Sequence, residues 1–380
     1  MIDRRQVYWD NLYVKGEISS FVLPGKVEEF HVMLHAEPRG DSFESQLGRI
    51  RQAERLLFEE SPLKGGAMVF KRCFISDAAN QHSLVPKEDT SAVSVIQQPV
   101  LDGSKIAVWI YAVKGASVCS LSGATLVEHN GYRHIYKMGI ADSNGDSYSQ
   151  TNSVMDTYGR LLSEFNADIA SNCIRTWFYV RDVDTQYQGM VKARKEKFAG
   201  MGLTEKTHYI ASTGIGGVPS VPNAIVQLDA YALTGFNSLQ QNYLYAYSHL
   251  SPTHDYGVTF ERGTYIEYGD RKHLFISGTA SIDNRGDVVH PGDVAKQTFR
   301  MWENVEKLLE EGGSGFEDIM QIIVYLRDMG DYATVRKMFE ERFSCVPAVY
   351  TLAPVCRTGW LVEMECIAIS RNGNPQFRDF

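Results

Sequence analysis

The sequence predicts an α+β fold in which three tandem sheet-and-helix modules bury the open faces of their sheets on one another. Two observations carry that expectation. An order of strand, helix, strand, helix and strand recurs along the chain, and the closing strand is apolar on both faces except for two in-line carboxylates. The composition agrees: 380 residues, 44% hydrophobic and 22% charged, are ordinary globular material, long enough for two or three small domains.

The clearest copy of the repeat is "GDVAKQTFRMWENVEKLLEEGGSGFEDIMQIIVYLRDMGDYATVRKMFEERF" at 292–343. An Asp before the first turn caps a helix, "VAKQTFRMWENVEKLLEE" carries apolar residues at helical spacing, and "GGSG" stops it. The run "IMQIIVYLRD" reads as a strand and is followed by a second helix. Beyond Pro347 comes a strand pair that ends in "VCRTGWLVEMECIAIS", residues 355–370.

The same order appears at 146–233. There "DSYSQTNSVMDTYGRLLSEF" is the helix, "IASNCIRTWFYVRDV" the strand, "QYQGMVKARKEKFAGM" the second helix and "NAIVQLDAYAL" the final strand. A shorter copy spans about 28–114, with "DSFESQLGRIRQAERLLFEES" as helix, "GAMVFKRCFIS" and "SKIAVWIYAV" as strands, and an abbreviated second helix. A strand precedes each helix: "EFHVMLHAE", "YRHIYKMGIAD" and "HLFISGTASID". The expected modules are 1–118, a degenerate first copy, then 119–245 and 246–380.

A sheet with helices on one side must bury its other side. Three such sheets in one chain can close on each other, which predicts a pseudo-threefold monomer with clefts at its seams. In the last strand Leu361, Glu363, Glu365, Ile367 and Ile369 share one face, and Val362, Met364, Cys366 and Ala368 the other. Two acids on such a face are expensive unless something pairs with them. Aligning the three final strands sets Glu363 against Gln227 and Ala107, and Glu365 against Asp229 and Trp109. Proton chemistry is therefore expected at one seam, between the second and third modules.

Several function classes lose support. The net charge of -8 comes without a Lys/Arg run or an aromatic-basic stripe, so no nucleic-acid partner is expected. A small anionic ligand stays compatible where local arginines outweigh the overall field. The start "MIDRRQVYWDNLYVKG" lacks a signal-peptide core, and no stretch nears the ~20 apolar residues of a membrane span, so the expectation is a cytoplasmic protein without membrane contact. Cys73, Cys119, Cys173, Cys345, Cys356 and Cys366 show no close pairing and read as free thiols. No Cys/His set has zinc-ligand spacing, and His134, His208 and His273 read as scaffold.

"LFISGTASID", "GDVAKQTFRMWENVEKLLEEGG", "IIVYLRDMGDYATVRKMFEERF", "VPAVYTLAPV" and "LVEMECIAIS" resemble the Rid family, also called YjgF-like or L-PSP endoribonuclease-like, over 255–370. The resemblance implies a chorismate-mutase-like α+β fold with ligand clefts between modules. Within it, "IRTWFYVRDV" followed by "KARKEKF", "ASTGIGG" at 211–217 and "VCRTGWLVEMECIA" look like the chorismatase branch, over about 125–370. One departure stands out. Rid imine deaminases place an arginine after the "PA" that precedes the penultimate strand, whereas this chain has Val349 in "VPAVY", which removes a bidentate carboxylate partner there.

Glu363 is the first catalytic candidate. Either it is a strand-end carboxylate at a wet rim, or it faces the seam partly desolvated, with a raised pKa that suits a proton donor. The resemblance implies protonation of an enolpyruvyl ether, water attack and release of pyruvate, by a lyase or hydrolase acting on an enolpyruvyl, cyclic or aromatic carboxylic acid. Glu365 ranks second, as a proton carrier or a structural acid. Cys356, beside Arg357, is a weak donor or a space filler; chorismatases with a cysteine there form a hydroxybenzoate.

For binding, the resemblance points to Arg262 as a carboxylate partner. Arg357 either counters a carboxylate or forms a surface ion pair. Gly214, Gly216 and Gly217 permit close backbone approach, and with Thr213 their amides could form a cradle for an anionic oxygen. Tyr209 and Arg175 are candidate wall residues; for Trp177, core packing is the expected role. No metal and no organic cofactor is implied. The expected partner is a small carboxylic acid, and the expected assembly a monomeric pseudo-trimer with at most weak self-association. Two other readings stay open: a Rid-type enamine or imine deaminase, and a non-catalytic binder of small carboxylates. RNA cleavage finds neither a basic groove nor a histidine pair.

Overall fold

The computed structural model describes residues 2–60 and 62–380, so Ser61, the last residue of the first expected helix, lies outside the described residues. Three sheets follow one another along the chain. The first holds β1 (Ile2–Trp9), β2 (Val14–Phe21), β3 (Glu28–Ala36), β4 (Ala67–Ile75), β5 (Ala92–Gln97) and β6 (Ile106–Lys114), with α1 (Phe43–Glu59) and the short α2 (Ala78–Gln81) between strands. The second holds β7 (Ser117–Leu121), β8 (Ala124–His129), β9 (Tyr132–Ala141), β10 (Cys173–Val180) and β11 (Ala211–Gly216). Its helices are α3 (Ser147–Glu164), α4 (Ile169–Asn172) and α5 (Val183–Gly200). β12 (Val218–Pro219) crosses to pair with β5 of the first sheet, and β13 (Val226–Thr234) returns to the second. The third sheet holds β14 (Gln241–Leu244), β15 (Gly263–Glu267), β16 (Lys272–Ala280), β17 (Ile319–Leu326), β18 (Ala348–Leu352) and β19 (Val362–Ser370), with α6 (Val294–Glu311) and α7 (Tyr332–Arg342).

The repeat read from the sequence is a repeat of topology. The orders β3-β6-β4-β5, β9-β13-β10-β11 and β16-β19-β17-β18 are the same order three times. In each, the last strand lies antiparallel between two neighbours, and the fourth strand is parallel to the third. The long helix of each copy is capped alike: the side chains of Ser42, Asp146 and Asp293 accept from the backbone N–H of Ser45, Ser149 and Lys296. α1 buries Phe43, Leu47, Ile50, Ala53 and Leu57 under the first sheet, and α6 buries Met301, Trp302, Val305, Leu308 and Leu309 under the third.

The faces turned away from the helices meet. One apolar cluster draws Met33, Phe70 and Trp109 from the first sheet, Tyr136, Trp177 and Tyr231 from the second, and Phe275, Ile323 and Tyr325 from the third. Buried ion pairs cross between sheets in turn. Arg72 on β4 donates to Asp229 on β13 at 3.0 Å, Arg175 on β10 to Glu365 on β19 at 2.9 Å, and Arg271, just before β16, to Glu29 on β3 at 2.7 Å. Each sheet therefore touches both of the others through a charge pair out of water.

Some elements differ from expectation. "IASN" is the helical turn α4, capped by Asp168, and not the start of a strand. Residues 355–361 form a loop, so the final strand begins at Val362. The hairpins β1–β2 and β7–β8 and the strand β14 extend the sheets beyond the repeat. Among the described residues no helix is long and apolar enough to cross a membrane.

Candidate active site

β19 fixes the two acids through its register. Glu365 lies opposite Ile323 of β17, and Glu363 opposite Tyr325 of β17 and Ala280 of β16. Both carboxylates are buried, one pleat apart, and their surroundings differ. Glu365 accepts from Arg175 Nη2 at 2.9 Å, from Trp177 Nε1 at 2.8 Å and from the Thr213 hydroxyl. Among the described residues Glu363 makes neither an ion pair nor a hydrogen bond, although it is only 5% exposed. Burial, and then the charge of Glu365, push its pKa up to about 8, against the opposing fields of Arg262 and Arg175. The Glu363 carboxyl therefore carries its proton at neutral pH.

Glu363 opens into a cavity of about 710 Å³, mouth included. One wall comes from α5 and β11 of the second sheet, through Tyr187, Arg194, Ser212 and Gly214. The facing wall belongs to the third sheet and its loops: Phe260, Arg262, Gly278, Cys356, Arg357 and Trp360. This is the seam expected from the alignment of final strands.

Three guanidinium groups reach this cavity. Arg194 donates to Ser212 Oγ at 3.3 Å, Arg262 to the Ser251 carbonyl at 3.0 Å, and Arg357 to the Gly286 carbonyl at 2.9 Å while lying over the Trp360 ring at 4.8 Å. Arginines beside Phe260, Tyr187 and Trp360 suit an anion attached to a flat or apolar body. Burial and the Glu363 charge push the Cys356 thiol up to about 12, against a hydrogen bond with Tyr187 and the nearby Arg357. Cys356 is thus a neutral SH group within reach of a phenol, without thiolate character.

Of the expected site residues, Glu363, Cys356, Arg262, Arg357 and Gly214 line this cavity. Arg175 and Thr213 stand behind its wall and are occupied with Glu365. Glu365 itself, held by three donors, belongs to that buried cluster and does not reach the cavity. Gly216 serves close packing instead of binding. Its N–H donates to the Pro354 carbonyl at 2.9 Å, and a Cβ there would come within 2.8 Å of the Pro354 backbone oxygen. The N–H of Gly217 donates to the Val180 carbonyl, so those two amides supply no anion cradle. Tyr209 lines a neighbouring cleft.

Several site residues escape the sequence reading, among them Tyr187, Phe260 and Trp360. Arg194 lies within "KARKEKF" among Met190, Val191 and Phe198 on the buried face of α5, where an arginine on an apolar stripe was the available signal. Gly278 lies beside the acid, and a Cβ built there would overlap Glu363 Oε1. Nothing in one sequence marks that glycine.

Strand registers also relocate the missing arginine. Val349 pairs across from Ile323, which faces Glu365, while Thr213 pairs across from Trp177, which faces Asp229. With Glu365 and Asp229 equivalent, Val349 and Thr213 are equivalent too. Val349 sits on β18, whose neighbours Tyr350 and Leu352 bond to Leu101 and Pro99 of the first module. In the Glu363 seam the corresponding residue is Thr213, again no arginine. The other seams are closed differently. Gln227 donates to Ser94 Oγ at 3.1 Å, and Ala107 is fully buried without a polar group.

The family model described as endoribonuclease L-PSP matches residues 262–370. A RutC family protein of Pyrococcus abyssi is 33% identical over 97 residues, 25% of this chain and 76% of that protein. The chorismatase of Streptomyces rapamycinicus is 31% identical over 213 residues, 50% of this chain and 62% of that protein, so the match spans less than two thirds of its length. A crystal structure of chorismatase shares the fold with a TM-score of 0.64 at 19% identity, covering 81% of this chain and 95% of that one.

Proposed function

We propose, from the premise that the chain belongs to the RutC family of Rid (endoribonuclease L-PSP-like) proteins, that it is a chorismatase-like hydrolase with Glu363 as its acid. The observation that carries this is a buried carboxyl, without an ion-pair partner and protonated near neutrality, in a cavity walled by Arg194, Arg262 and Arg357. The substrate class is an enolpyruvyl ether of a cyclic carboxylic acid. Its modules are 1–118, 119–245 and 246–380, arranged as an intramolecular pseudo-trimer, which leaves one seam equipped for the reaction.

In this reaction Glu363 gives its proton to the methylene carbon, and the ether carbon becomes an oxocarbenium centre. Water adds its oxygen to that carbon and returns a proton to Glu363. The hemiketal hydroxyl proton then passes to the ring oxygen as the C–O bond breaks, leaving pyruvate and a ring alcohol. One water is consumed and the glutamate is restored. The guanidinium groups bind the substrate carboxylates, and the neutral Cys356 thiol and Tyr187 phenol lie where they can steer the ring.

Purified protein incubated with chorismate should release pyruvate, read by a coupled lactate dehydrogenase assay, and Glu363→Gln should reduce the rate at least ~100-fold. Equal release by wild type and Glu363→Gln would remove Glu363 from the chemistry. Ammonia release from 2-iminopropanoate without pyruvate from chorismate would replace this reading with a deaminase, the activity named for RutC of Acinetobacter baylyi. Saturable benzoate binding with no turnover of either compound would leave a carboxylate-binding protein.

A further inference from the structure

Among the described residues six carboxylates are buried: Glu17, Glu29, Asp229, Glu261, Glu363 and Glu365. Four have cationic partners, Lys15 and His35 for Glu17, Arg271 for Glu29, Arg72 for Asp229 and Arg175 for Glu365. The two without an ion pair are Glu363, in the cavity above, and Glu261. A buried carboxylate without a counter-charge is unfavourable unless it keeps a proton, as Glu363 does, or a ligand completes it.

Glu261 is 7% exposed and lines a second cleft of about 460 Å³, mouth included, separated from the first by Arg262. One of its oxygens accepts from the Tyr209 backbone N–H at 2.7 Å, and the other takes no hydrogen bond from the described residues. Burial raises its pKa, opposed by the Tyr209 N–H and then by His254 and Arg262. Tyr245 and Tyr247 stack with ring centroids 5.1 Å apart and 13° between planes, and Tyr209 completes an aromatic lining. Burial raises the phenols of Tyr209, Tyr245 and Tyr247, and the charge of Glu261 raises them further. The remaining charged lining is Glu205, His208, His254 and Arg262. Two carboxylates, two imidazoles and one guanidinium thus line the cleft, and that guanidinium already donates to the Ser251 carbonyl.

We propose that this second cleft binds a small primary ammonium ion carried on a flat or apolar body. Glu261 is the counter-ion, and the Tyr245–Tyr247 stack is the wall on which the body lies. An ammonium group supplies the donors that the open oxygen of Glu261 lacks, and aromatic faces favour a cation beside them. The sites have opposite preferences: three arginines and a neutral acid in the first select anions, an ionisable acid among phenols in the second selects cations. The proposal does not rest on the reaction assigned to the first cavity.

Benzylamine is the probe, with benzyl alcohol and benzoate as uncharged and anionic controls, titrated calorimetrically into the full chain. Benzylamine should bind saturably with benzyl alcohol at least about tenfold weaker, and Glu261→Gln, which keeps the acceptor for the Tyr209 N–H, should weaken benzylamine about tenfold to a hundredfold. Tyr247→Ala alters a residue 56% exposed, so it should fold normally and still weaken binding. Glu363→Gln should leave benzylamine affinity unchanged, which separates this cleft from the first. Equal binding of benzyl alcohol, full affinity in Glu261→Gln, or loss of binding in Glu363→Gln would each overturn the proposal. Should Glu261→Gln fail to fold, unchanged affinity in Tyr247→Ala would do the same.

Discussion

Glu363→Gln should flatten a pH dependence of stability that the wild type carries because one carboxyl is forced to keep its proton. In the unfolded chain that glutamate ionises near its ordinary value of 4.5, and in the folded protein near 8. Between those values the folded state binds the extra proton, so its stabilising effect is complete below the lower pH and is lost as pH rises through the upper one. The slope is about 1.4 kcal/mol per pH unit, so the wild type should lose roughly 2.7 kcal/mol between pH 5.5 and 7.5 through this group alone. Glutamine has the shape of the protonated acid and no such term. Urea unfolding of both proteins at half-unit steps from pH 5 to 9 isolates the difference. Other groups, such as His35, whose pKa Asp102 and Glu17 raise to about 9 against the effect of burial, are common to both and cancel. Parallel profiles for the two proteins would refute the claim that Glu363 is protonated because it is buried.

Gly278→Ala should separate folding from chemistry. The new methyl meets the far end of the Glu363 side chain and lies 3.1 Å from the Thr213 methyl, so the acid must swing aside while the backbone stays. Pyruvate release from chorismate should fall about 100-fold with an unfolding midpoint little changed, and unchanged kinetics would contradict the placement of the acid. Arg175→Met leaves Glu365 buried without its cation and should cost roughly 3–5 kcal/mol in denaturant unfolding. Adding Glu365→Met should recover much of it, and no recovery would show that the cluster contributes through packing instead.

Much of the fold was legible because its signals are local. Apolar spacing marked α1, α3 and α6, with an Asp cap read for α6, and alternation marked the final strands. Both acids on β19 were legible as a pair, and so was the seam they face. Their division of labour was not. Which acid is satisfied depends on Arg175, Trp177 and Thr213, brought in from a different sheet. Residues 355–361 were read together with the alternating strand that follows, whereas they form a loop in which Trp360 donates its ring N–H to the Ser281 carbonyl.

The order of elements, their repetition and the inventory of charged groups on each face follow from the chain alone, since they depend on neighbours a few residues apart. The tertiary structure alone decided that Glu365 gains an arginine while Glu363 keeps a proton, that Gly216 serves packing, and that Gly278 makes room for the acid. Those outcomes depend on desolvation and on partners supplied across a seam by residues more than 60 positions away, such as Thr213 for Gly278. Periodicity carries no record of such distances.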